Sequence, residues 1–75
     1  MPDAPLYSHS IRVERKHITF ELRENPRGRF LRITEEVEGR RDTVIVPASG
    51  LEQFREAVNA FVDSCKGLPE KPPAP

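Results

Sequence analysis

Four arginines, one asparagine, one glycine and one phenylalanine fall within the eleven residues Arg23-Glu-Asn-Pro-Arg-Gly-Arg-Phe-Leu-Arg-Ile33. Forked guanidinium groups hold phosphate oxygens, and an asparagine amide reads a base edge. A glycine lets a backbone approach closely, and an aromatic ring stacks on a base. Together these groups supply what single-strand nucleic-acid binding requires. The candidate binding residues are Arg23, Asn25, Arg27, Arg29, Phe30 and Arg32. The plainer reading is a solvated, charge-rich hairpin neutralised by Glu21, Glu24 and Glu36, with the ring packed on Tyr7 or a partner strand. The combination of forked donors, amide, glycine and ring favours the binding role.

No other constellation carries chemistry. His9 and His17 lie eight residues apart with no cysteine near them, which is not metal-ligand spacing. Arg40 and Arg41 either extend the basic patch or, with the stronger prior, blunt a sheet edge. Glu35, Glu36 and Glu38 have nothing that forms a pocket around them, and a domain of this size leaves little room to enclose a substrate. Neither a GxxxxGK loop nor a nucleophile elbow occurs. The expectation is a protein that is not an enzyme, with no cofactor, no metal and no small-molecule substrate.

Four strand signals and one helix signal must position the candidate residues. Tyr7 to Arg15 and His17 to Arg23 alternate apolar with polar residues. Glu24 to Gly28 supplies turn residues and leads into Phe30 to Val37. There Leu31 and Ile33 point one way, and Phe30, Arg32 and Thr34 the other. Glu38-Gly39-Arg40 makes the next turn, and Asp42 to Pro47 is the fourth strand, whose apolar run leaves the face of Ile45 open. A helix is expected from Ser49, with Ser49 and Glu52 at capping-box spacing. Its apolar stripe is Leu51, Phe54, Val58, Phe61, Val62 and Cys65, and Gly67 with Pro69 stops it.

Size and charge limit how these elements work. With 75 residues the chain makes one domain at most. Residues 1–6 and the proline-rich residues 67–75 are expected to be disordered tails. The remaining domain, 7–66, would be marginal alone. Four strands at about 4.8 Å spacing span nearly 20 Å, whereas a helix is about 10–12 Å wide. One helix therefore leaves apolar sheet uncovered, and a homodimer is the expected remedy. Twelve basic and twelve acidic residues give zero net charge, so any binding field is a local patch and not a property of the whole molecule. A single cysteine excludes an internal disulfide and suggests a reducing compartment. No segment has the length or apolarity of a membrane span, and the expected location is the cytoplasm.

From Tyr7 to about Lys66 the chain resembles one repeat of the PUR family of purine-rich-element binding proteins. The likeness rests on Phe20-Glu21-Leu22-Arg23-Glu24-Asn25, on Arg27-Gly28-Arg29-Phe30-Leu31-Arg32-Ile33, and on Val46-Pro47 followed by Gly50-Leu51-x-x-Phe54-Arg55-x-Ala57. The resemblance implies an α+β fold: a four-stranded antiparallel sheet followed by one C-terminal helix, two copies intertwining into a Whirly-like domain. One repeat per chain looks like the bacterial arrangement, a homodimer in the bacterial cytoplasm or nucleoid acting in transcription regulation. It implies binding of single-stranded DNA or RNA of purine-rich, especially G-rich, sequence. The family's basic, amide and second basic positions fall on Arg23, Asn25 and Arg27, and its stacking aromatic on Phe30. Pro26 departs from the Ala or Gln of that pattern and stiffens the turn. The alternative function is a protein-binding adaptor using the open sheet face and the proline-rich tail.

Overall fold

Alternation along the chain becomes four strands in the computed structural model, which describes residues 4–68. The strands are β1 (Tyr7–Val13), β2 (Lys16–Asn25), β3 (Gly28–Val37) and β4 (Arg40–Pro47). They form one antiparallel sheet in chain order, so β1 and β4 are its edges. A single 3-10 turn, Ala48–Gly50, leads into helix α1, Leu51–Lys66. Of the expected tails, residues 1–3 and 69–75 lie outside the described residues. Just before β1, the Leu6 amide donates to the Leu22 carbonyl at 2.8 Å and extends the ladder by one bond.

Tight turns bring each strand pair close and extend β2, β3 and β4 beyond the ranges expected from sequence. Glu14 (φ 56°) turns β1 into β2, while Glu38 (φ 48°) and Gly39 (φ 83°) turn β3 into β4. At Glu38-Gly39 both central residues have positive φ, which matches the twist of the flanking strands; in the first turn only Glu14 does. The middle turn is built differently. Neither Pro26 nor Arg27 has a positive φ; Gly28, at φ 136°, takes up the mismatch as the first residue of β3. Beside the first turn, Lys16 donates to Glu35 at 2.8 Å. That bond, and then the carboxylate's charge, hold the ammonium above its ordinary 10.5. A raised lysine pKa means the contribution is present at neutral pH and is lost only as pH rises through the shifted value.

The helix start corrects the sequence expectation. Its N-cap is Gly50, with no side-chain capping bond, so the Ser49–Glu52 capping box does not form. Pro47 precedes the 3-10 turn with extended ψ (145°), and Ser49 is already inside that turn. Its hydroxyl therefore stands one position too early to cap α1. The C-terminal end falls where expected, although Gly67 keeps a right-handed conformation (φ −90°) while its amide bonds Ser64.

A second correction concerns packing. The helix was expected to cover part of its own sheet, but there is no extended packing between α1 and the strands. Among the described residues, the sheet's main contact outside its own strands is through β3 with the 3-10 turn. The Cα radius of gyration is 14.9 Å, against about 11 Å for a compact chain of this length. No side chain among the described residues is fully buried. The helix stripe stays open, with Phe61 at 73% exposure, and Cys65 is exposed along with it instead of lying in a core.

Replacing Gly28 isolates the middle turn. An added Cβ meets nothing within 4 Å, so any loss in Gly28→Ala comes from backbone strain alone. Urea unfolding should show a loss of more than about 1 kcal/mol.

Candidate nucleic-acid interface

The registers sort side chains into two faces. Partners directly opposite share a face, so Leu22, Leu31 and Val46 form one row, and Phe20, Ile33 and Val44 the next. With Tyr7, His9 and Ile11 from β1, these make the apolar face. The opposite face carries the rows Arg23–Phe30–Pro47, Glu21–Arg32–Ile45, Thr19–Thr34–Thr43 and His17–Glu36–Arg41. Phe30 and Arg32 thus share the polar face, as their alternation predicts. His9 and His17 fall on opposite faces.

Ile45 is the residue that sequence reasoning left unplaced. Its register partner Arg32 puts it on the polar face, where it is half exposed beside Phe30 and Pro47. The signal was present as Thr43, Ile45 and Pro47 alternating with Val44 and Val46. It was masked because Val44, Ile45 and Val46 are all apolar. Together Asn25, Arg27, Gly28, Arg29, Phe30, Ile45 and Pro47 line an open depression of about 300 Å³ at one end of the sheet. Its floor is apolar and its rim cationic, a surface on which a flat ring can lie while a nearby anion is held.

The candidate residues occupy different settings. Phe30 is half-buried, between Arg23 and Pro47 in its row. Arg23 and Arg32 converge on one carboxylate. Arg23 Nε donates to Glu21 Oε1 at 3.3 Å, and Arg32 donates to the same oxygen through Nε at 3.3 Å and Nη2 at 3.1 Å. Arg27 stands exposed at the hairpin tip, and among the described residues no ion pair engages it. Arg29 pairs in register with Glu24 on the other face, with 3.9 Å between its Nε and that carboxylate, yet it borders the depression. Both side chains of that pair are largely exposed, so the pairing is weak.

Asn25 has a structural duty as well. Its Oδ1 accepts from the backbone amides of Arg27 at 2.9 Å and Gly28 at 3.2 Å, folding the turn. Only the Nδ2 half of the amide remains to meet a ligand. Farther along the polar face, Arg41 approaches Glu36 at 3.8 Å. Arg40, its neighbour on the edge strand β4, belongs to the opposite face, so the two arginines do not form one patch.

The chain is similar to known proteins. Residues 2–70 match the family described as PurA ssDNA and RNA-binding protein. Similar proteins include "Transcription factor Pur-alpha 1" of Arabidopsis thaliana, 45% identical over 62 residues, which cover 83% of this chain and 21% of that protein. "Transcriptional activator protein Pur-alpha" of Mus musculus and of Homo sapiens are each 35% identical over 78 aligned residues, covering 95% of this chain and 24% of theirs. The chain spans about a fifth to a quarter of the length of these relatives. Among the described residues no helix is long and apolar enough to cross a membrane.

Removing the Asn25 side chain should loosen the hairpin before any ligand is present. Asn25→Ala is expected to speed amide exchange at Arg27 and Gly28 and to cost about 0.5–1.5 kcal/mol for each lost bond. Asn25→Asp, which keeps the acceptor, should restore the protection.

Proposed function

The chain belongs to the PurA family of single-stranded DNA- and RNA-binding proteins, and from that premise we propose that it is a homodimer binding purine-rich single strands on the polar sheet face. The family is one of nucleic-acid binders and not of enzymes. A base stacks on Phe30 within the depression floored by Ile45 and Pro47. The phosphates are held by Arg27 and Arg29 at its rim, with Arg23 and Arg32 alongside the ring. The Nδ2 of Asn25 is placed to donate to a base edge. The observation that carries this reading is the row Arg23–Phe30–Pro47, which keeps the aromatic ring on the face that the apolar side chains do not use.

Dimerisation follows from the uncovered surfaces. The apolar sheet face and the stripe Phe54, Val58, Phe61 and Val62 are both open in the single chain. Each has what the other lacks, and a helix from a second copy laid across the sheet buries both. Such an exchange closes the apolar face and leaves the polar one free. The three relatives named for transcription make control of transcription the setting proposed for this chain too.

Two measurements separate the parts of this reading. In fluorescence anisotropy with a short G-rich strand, Phe30→Ala should lose about 1–3 kcal/mol of binding; unchanged affinity would sink the proposal. Sedimentation at micromolar concentration should give a mass of two chains. Phe61→Glu, harmless on an exposed helix face, should instead break the dimer and lower its stability. A one-chain mass for the unaltered protein would contradict the exchange.

A further inference from the structure

Glu21 occupies the polar face next to Phe30, where a nucleic-acid interface has least use for a negative charge. Its Oε1 receives three N–H donors, two from Arg32 and one from Arg23, at 3.1–3.3 Å. Its side chain is only 23% exposed and that of Arg23 19%, so water and salt screen this cluster less than the surface pairs elsewhere. A guanidinium fork on a carboxylate uses the same donors and directions as a fork on phosphate. One oxygen of Glu21 therefore holds the donors that a phosphate beside the Phe30 ring would seek. Arg27 and Arg29 are not held in this way.

We propose that Glu21 is a built-in competitor for phosphate: it neutralises Arg23 and Arg32 in the free protein and makes binding depend on the stacked base instead of on backbone charge. This rests on the proposed single-strand binding at Phe30 and deepens it by naming what sets selectivity. A strand that offers no base to stack meets only Arg27 and Arg29, which hold it weakly. A strand that stacks a base on Phe30 brings its phosphate to Arg32, two residues along the same face, and there it competes with Glu21. The zero net charge of the chain fits this arrangement, because no general field draws polyanions to the surface. Glu21 thereby acts as a selectivity residue without touching the base.

The experiment compares the full chain with Glu21→Gln, Glu21→Ala and Glu21→Asp. Two probes are used: a short purine-rich single strand and an abasic sugar–phosphate strand of equal length, each titrated across a salt series. Two open arginines predict a slope of log K against log salt near −1.4 for the abasic strand, and the addition of Arg32 predicts about −2.1. Glu21→Gln should steepen the slope toward the second value and tighten abasic binding about tenfold at low salt. The purine-to-abasic affinity ratio should fall. Glu21→Asp, which keeps the charge, should behave as the unaltered chain. Either of the Gln and Ala variants decides the matter if the other fails to fold. Weaker abasic binding, or an unchanged slope, would mean that Glu21 positions the arginines instead of competing for them, and would overturn the proposal. Failure of the unaltered chain to bind the purine strand would overturn the single-strand reading and this proposal with it, whereas purine binding with an unchanged abasic slope in Glu21→Gln would overturn this proposal alone.

Discussion

Cross-strand register is the constraint on which the rest of the molecule depends. Side chains alternate faces with a period of two, so a slip of one residue between β2 and β3 would exchange Phe30 and Arg32 for Leu31 and Ile33. The short turns prevent it. Asn25 accepts two backbone bonds across the middle turn, and Gly28 supplies a φ that other residues resist. Those same turn residues border the depression beside Phe30. Folding and recognition therefore share side chains, and the hairpin is at once the part that sets the register and the part best equipped to meet a ligand.

The two faces that register creates have opposite needs. One is apolar and, among the described residues, lacks a packed helix over it; the other is polar except for Phe30, Ile45 and Pro47 at one end. A sheet of this kind is stable only if the first face finds apolar cover, and the helix that could supply it extends away from its own sheet. Electrostatics on the polar face are local. Arg23 and Arg32 answer to Glu21, Arg41 approaches Glu36, and Arg27 projects beyond them. The functional asymmetry of the molecule thus lies in how its charges are paired and not in how many it has.

Much of this was legible in the chain. The alternation of Ile18, Phe20 and Leu22, and of Leu31 and Ile33, announced both strands of the central hairpin and the face of Phe30. The stripe from Leu51 to Cys65 announced the helix. What was not legible depended on tertiary placement. Ser49 has the right spacing for a capping box, but a proline-led 3-10 turn claims it first. The direction in which α1 leaves the sheet is set at Pro47 and the 3-10 turn, and no periodicity encodes it. Ile45 sits in a run too uniformly apolar to show its face. The convergence of Arg23 and Arg32 on Glu21 comes from β2–β3 pairing, which joins residues eleven apart in sequence. In the sequence Glu21 is simply one of several nearby acidic residues.

The central claim is that a single strand lies on the polar face with a base against Phe30. Ultraviolet crosslinking of a photoreactive purine-rich strand to the intact chain, with the attached residue identified by mass spectrometry, tests it most directly. The account predicts attachment at Phe30 or at its neighbours in the depression, Arg27, Ile45 and Pro47. Attachment on the row Leu22–Leu31–Val46, or along the stripe Phe54–Val58–Phe61, would contradict it, because those surfaces would then be serving the ligand and not a second copy of the chain.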